Sequence, residues 1–174
     1  MSAVRSEAAA DHARRLSVMQ VPDLDEVVAI EKLAYTHPWS HGNFIDSLAS
    51  GYPSRVLRDA HGRMTGYFIA MKGVDEMHLL NLAVAPGDEG RGHARFMLDA
   101  LCLMSRGMGT DLLWLEVRVS NARARRLYGR YGFKHVGERR AYYPAFGGQR
   151  EDAVVMSLSL AASGEAAKVP YVVE

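Results

Sequence analysis

The strand-like run Leu112–Val119 (LLWLEVRV) carries one residue foreign to a core, Glu116. Counting by two puts Leu112, Trp114, Glu116 and Arg118 on one face, and Leu113, Leu115, Val117 and Val119 on the other. A carboxylate on a central strand is costly unless it is paired, hydrated or functional; the plain alternative is an ion pair with Arg118. Just downstream, Asn121 and Tyr128 are spaced to project from one helical face, near the carboxyl edge of a sheet. For Tyr128 the plain alternative is a core tyrosine with a satisfied hydroxyl. A second cluster is GDEGRGHA, where Gly87, Gly90 and Gly92 let the backbone turn sharply and bring several N–H groups close to a ligand. The helix that follows concentrates unpaired donors and partial positive charge, which suits a pyrophosphate. The loop is neither GxGxxG nor a Walker loop, and a plain strand-to-helix turn is its alternative. Cys102 has no His partner at a recognisable spacing, and the seven His residues form no HxxxH or Cys/His grouping. Neither a catalytic thiol nor a metal is expected.

Elements of both periods must position these residues. Asp23, with Glu26 as capping-box partner, predicts a helix carrying Leu24, Val27, Val28, Ile30, Leu33 and Ala34 and ending at His37-Pro38. Ser40 caps a shorter helix with Phe44, Ile45 and Leu48 on one side. The period then changes. Strands are predicted at 54–58 and 65–71 around a turn at 59–63, and at 77–84, whose near-continuous apolar run (MHLLNLAV) suits a central strand. A helix over 93–106, the strand at 112–119, a helix over 120–131 capped by Ser120, a strand from Gly132-Phe133 and a last strand at 151–158 complete a mixed α/β pattern. RRAYYPAFGG, with Tyr142, Tyr143 and Phe146, reads as a loop carrying an aromatic wall, either for a substrate or as plain closure. Arg123, Arg125, Arg126 and Arg130 form the most basic stretch, either a solvated helix face or an attractor of phosphates.

Length and composition bound the answer. A chain of 174 residues fits one domain, and 48% apolar with 24% charged residues is the balance of an ordinary globular protein. That excludes collagen-like, coiled-coil and wholly disordered chains. A net charge of +1 supplies no whole-protein field for nucleic acid or membrane. No apolar run approaches the ~18–20 residues of a membrane span, and the first residues lack the apolar stretch of a secretory signal. A lone Cys fits a reducing compartment. The expectation is a cytoplasmic protein, monomeric or weakly dimeric, with a loose arm at 1–16, a domain at 17–160 and a tail at 161–174 in which Val169–Val173 could pair with a sheet edge.

Over roughly residues 17–160 the chain resembles the GNAT N-acetyltransferases. HPWS at 37–40, NLAVAP at 81–86, LWLEVRVSNARARRLYGRYGF at 113–133, RRAYYP at 139–144 and REDAVVMSL at 150–158 narrow this to the branch acting on alanine N-termini of ribosomal proteins. The resemblance implies a single α/β (α+β) domain: a central, mixed, mostly antiparallel twisted sheet, helices on both faces, and a splayed cofactor cleft. It implies acetyl-CoA as donor, a peptide α-amine as acceptor and direct transfer in a ternary complex. Glu116 would be the base, its pKa raised by partial burial, and Tyr128 the acid beside the sulfur. Amides of Leu82, Ala83 and Val84 would polarise the thioester carbonyl. Gly90, Arg91, Gly92, His93, Ala94 and Arg95 would hold the pyrophosphate, and Asn121 the pantetheine arm. Trp39, Tyr142 and Tyr143 would line the acceptor site. One departure stands out: the family loop reads Gln/Arg-x-x-Gly-x-Gly/Ala, and here Glu89 takes the first place. An acid beside a pyrophosphate is electrostatically wrong, so Glu89 is expected to face solvent. Acetylation of lysine or small amines, a non-catalytic acetyl-CoA-binding module and, least favoured, nucleic-acid binding are the competing readings.

Overall fold

The computed structural model describes residues 13–161. Among the described residues there are seven strands: β1 (Arg15–Val18), β2 (Ser54–Arg58), β3 (Met64–Lys72), β4 (Glu76–Val84), β5 (Leu112–Arg118), β6 (Lys134–Pro144) and β7 (Arg150–Ser159). Four helices accompany them: α1 (Leu24–Ala34), α2 (His41–Ala49), α3 (His93–Gly107) and α4 (Ala122–Tyr131). The strand order is β1-β2-β3-β4-β5-β7-β6. β4 and β5 are parallel, whereas β1–β2, β2–β3, β5–β7 and β6–β7 are antiparallel. This is the mixed α/β sheet that the alternating elements predict. The arm at 1–12 and the tail at 162–174, with Val169–Val173, lie outside the described residues.

The chain divides into two compact units. The first takes residues 13–69 and 81–97. Its core includes Leu24, Val27, Phe44, Leu57, Tyr67 and Phe68, all buried, with the Phe44 ring meeting Tyr67 edge-on at 5.7 Å. Gly66 is required there: a Cβ would lie 2.7 Å from the Ala83 carbonyl oxygen and 2.9 Å from the Met97 methyl. The second unit takes residues 70–80 and 98–161 around buried Met77, Leu98, Leu101, Leu113, Leu115 and Val154. β5 alternates between half-buried and buried positions, so Trp114, Glu116 and Arg118 share the less covered face, as counting by two requires.

Several local expectations are corrected. β1 starts at Arg15, inside the predicted arm, because Leu16 is buried when β1 pairs with β2. Asp23 does not cap α1: a 3-10 turn (Val21–Asp23) precedes the helix, and Asp23 accepts from the Gln20 N–H and from Arg58. Glu26 also goes to Arg58, so no capping box forms there. The helix stops at Ala34, ahead of His37-Pro38, whereas Ser40 caps α2 as expected by accepting from the Asn43 N–H. At α4 the cap is Asn121, accepting from the Ala124 N–H at 3.0 Å; the Ser120 hydroxyl turns instead to Glu151. RRAYYP is not a loop. It completes β6, with an irregular register between Arg139 and Tyr143 and Ala141 at φ 49°.

Candidate active site

In the first unit, β4 runs into the glycine loop. Gly87, Gly90 and Gly92 have φ of 92°, 76° and 78°, the left-handed region in which a side chain is strained. α3 begins at His93, and the Phe96 N–H closes on the Gly92 carbonyl, so the preceding first-turn amides have no partner within the helix. Glu89 is exposed, as expected. The acid that turns inward is its neighbour, Asp88. It takes Arg63 in a bidentate pair at 2.6 and 2.9 Å, with Arg91 at 3.6 Å. The Arg63 guanidinium holds the Asp88 carboxyl below the usual carboxylate range. Arg14 donates to the Arg91 carbonyl at 2.6 Å, so the loop is held from two sides. His93 is buried, and desolvation, reinforced by Arg14, lowers its pKa.

Trp39, Leu82, Ala83 and Val84 also belong to this unit. The half-buried Trp39 packs on Phe44 at 5.4 Å and donates its backbone N–H to Glu31 at 2.8 Å. Glu31 is 1% exposed and also accepts from the Tyr67 hydroxyl and, at 3.1 Å, from Asn81. The Tyr35 hydroxyl donates to the Leu82 carbonyl. Glu31 was not among the sequence candidates, yet a signal existed: its spacing from Leu24 and Val27 places it on the buried stripe of α1.

Glu116, Asn121, Tyr128, Tyr142 and Tyr143 fall in the second unit. The parallel β4–β5 ladder ends at Leu79↔Leu115, one residue before Glu116. The Glu116 side chain is 5% exposed; one oxygen meets His78 Nε2 at 2.5 Å and the other Arg139 Nε at 3.2 Å. His78 stacks on Trp114, its register partner across the ladder, with centroids 3.7 Å apart and planes 11° from parallel. The expected alternative partner, Arg118, pairs with Glu151 at 2.8 Å and lies over the Tyr143 ring. Tyr143 donates to the Glu116 carbonyl at 3.0 Å, packs edge-on against Tyr142 and feels the Tyr128 phenol electrostatically. Burial pushes the Tyr143 phenol up, with the Glu116 charge adding to it. Tyr128 is buried beside Phe133, and burial pushes its phenol up to about 12. Thus the Glu116 carboxylate and the Tyr142 and Tyr143 phenols converge, with Tyr128 near Tyr143. The Asn121 carbonyl oxygen, by contrast, is committed to the α4 cap. His78 and Arg139 escaped the sequence reading, because nothing local couples them to Glu116.

Cys102 is buried beside the Tyr131 hydroxyl, and burial pushes its thiol pKa up, which suits an inert side chain. Arg125 and Arg126 line a cavity of about 350 Å³ with His135, Val154 and Met156. No helix among the described residues is long and apolar enough to cross a membrane.

The GNAT acetyltransferase family model matches residues 24–133. The [ribosomal protein bS18]-alanine N-acetyltransferase of Escherichia coli K12 is 38% identical over 147 residues, covering 83% of this chain and 97% of that protein. Its Haemophilus ducreyi counterpart is 36% identical, covering 79% and 94%. The crystal structure of the ribosomal-protein-S18-alanine N-acetyltransferase from Escherichia coli superposes with a TM-score of 0.78 at 35% identity, over 90% of this chain and all of that one. The chain therefore belongs to the GNAT family of acetyltransferases, enzymes that use acetyl-CoA.

Proposed function

We propose that this enzyme acetylates the α-amine of a protein N-terminus that begins with Ala or another small residue, on a small-subunit ribosomal protein in the cytoplasm. The observation that carries the reading is the buried Glu116 carboxylate beside Tyr143, in a chain 38% identical to an alanine N-acetyltransferase over 97% of that relative's length.

An α-ammonium has a pKa of about 7.7–8.0, so near neutrality much of the acceptor must first lose a proton. Glu116 accepts that proton, directly or through one water. The amine nitrogen forms a bond to the thioester carbonyl carbon, the carbon–sulfur bond breaks, and Tyr128 donates its phenolic proton to the departing thiolate. The acetylated nitrogen gives up its second proton, which returns to Tyr128 directly or through water, and Glu116 releases the first to solvent, which balances the cycle. Amides of Leu82, Ala83 and Val84 stabilise charge on the carbonyl oxygen. The residues present fit a pyrophosphate: first-turn amides of α3, left-handed glycines, and exposed Arg91 and Arg95. Gly90, Gly92, His93 and Ala94 contribute backbone to it, and Asn121 approaches the pantetheine arm. In the second unit, Tyr142 and Tyr143 flank the first residues of the acceptor.

The test is thiol release from acetyl-CoA with two peptides, one with a free Ala-initiated N-terminus and one N-blocked with an internal Lys. Turnover of the first alone is expected. Deprotonating lysine near pH 7 is harder by about 3–4 kcal/mol. Turnover of the second alone transfers the assignment to lysine, and turnover of neither ends it.

A further inference from the structure

We propose that His78 is a positioning residue that fixes the Glu116 carboxylate in the orientation from which it takes the amine proton. A carboxylate can only accept, so in the 2.5 Å contact the hydrogen sits on His78 Nε2 and points at Glu116 Oε2. The imidazole cannot turn away, because its plane is set by the stack on Trp114 and its side chain is only 11% exposed. Arg139 cannot do the same for the other oxygen. Its side chain is 48% exposed, free to rehydrate, and drawn to the faces of Trp114 and Tyr142. One carboxylate oxygen is therefore held by a ring that cannot turn, while the other is paired with an exposed cation.

An independent observation points the same way. His78 Nδ1 is buried, and no hydrogen-bond partner reaches it among the described residues. Leaving a polar nitrogen desolvated is a cost that an apolar residue on this central strand would avoid. The fold tolerates that orphan for the sake of the opposite ring nitrogen, whose one contact is Glu116. Arg139, Tyr142 and Tyr143 from β6 and Trp114 from β5 also face the pair, and the Tyr142 hydroxyl hydrogen-bonds the carboxylate; of these groups only His78 holds Oε2 from a ring locked by stacking.

This inference rests on Glu116 being the base, so the experiment is a double-mutant cycle. His78→Leu is expected to lower kcat about 10–100-fold while KM for acetyl-CoA stays within about twofold, because misdirecting a catalytic group penalises turnover rather than cofactor binding. His78→Gln, whose amide can present an N–H near the place of Nε2, recovers kcat to within about fivefold of the native enzyme. In a Glu116→Gln background, His78→Leu costs less than about twofold. A merely structural His78 would lower melting temperature in the Leu and Gln variants without this rescue or coupling. If Gln performs no better than Leu, or the Leu loss repeats in full without the carboxylate, the positioning role is overturned alone. If Glu116→Gln turns over like the native enzyme, the base assignment and the positioning role fall together.

Discussion

Cutting the Asp88–Arg63 pair should weaken acetyl-CoA binding without touching the chemistry. The pair joins the β2–β3 turn to the glycine loop, and a loop that offers several amides to one pyrophosphate must be held in a single conformation. Asp88→Ala removes two charge-assisted hydrogen bonds, a class worth about 1.5–3 kcal/mol. The Arg63 side chain is 56% exposed and rehydrates once released, so the lower end applies, about 1.5 kcal/mol or roughly tenfold in Kd. Arg63→Ala is the harsher cut. It strands a carboxylate that is 4% exposed, with Arg91 at 3.6 Å, and about 2–3 kcal/mol is expected, roughly 30–150-fold. The inequality is the signature: removing the exposed partner hurts more than removing the buried one. The pH dependence follows from the depressed Asp88 pKa. Its contribution is complete above the unfolded carboxylate value of about 3.9 and disappears as pH falls through the lower, folded value. Titration calorimetry with CoA at pH 7 and thermal melts from pH 7 to 3 measure both effects. The melting gap between native protein and Asp88→Ala should hold steady down to about pH 5 and close below about pH 4. Both variants binding CoA within twofold of the native enzyme, or a gap unchanged at pH 3, would refute the clamp.

Three further outcomes are expected. Glu116→Gln lowers kcat about 10²–10⁴-fold, most severely at low pH, where more of the amine needs a base; a pH–rate series showing a uniform loss contradicts that role. Tyr128→Phe lowers kcat with CoA affinity unchanged, and because burial pushes that phenol up to about 12, native kcat should show no alkaline limb from it below about pH 11. An unaltered kcat removes the acid assignment. Glu31→Ala leaves the Tyr67 hydroxyl, the Asn81 amide and the Trp39 N–H without their acceptor. At about 1–3 kcal/mol for each unsatisfied group, a loss of about 3–5 kcal/mol and a fall of roughly 10 °C in Tm are expected, with Glu31→Gln losing less than half of that.

The sequence by itself determined whatever depends on neighbours a few residues apart. Alternation along 112–118 puts Glu116 on the face of Trp114 and Arg118, and β5 keeps that alternation. The glycines at 87, 90 and 92 announce a backbone that ordinary residues resist, and all three sit at positive φ. Ser40 reads as a cap and is one, its hydroxyl accepting from the Asn43 N–H. Even here, near-equivalent choices were decided elsewhere. Ser120 and Asn121 are both good caps, and Glu151 claims the serine. The periodicity of RRAYYP hides a strand, because the irregular register and the positive φ at Ala141 break its alternation.

Tertiary structure alone decided how the charges pair. Glu116 reaches His78 across 38 positions of sequence, not Arg118 two residues away, because a parallel ladder brings His78 and Trp114 side by side. Of the adjacent acids Asp88 and Glu89, only Asp88 turns inward, since Arg63, 25 residues earlier, waits beneath the loop. Backbone preference is a local energy and is written residue by residue. The partner of a buried charge is whichever group the folded chain delivers within about 3 Å, and that distance does not exist until the sheet has formed.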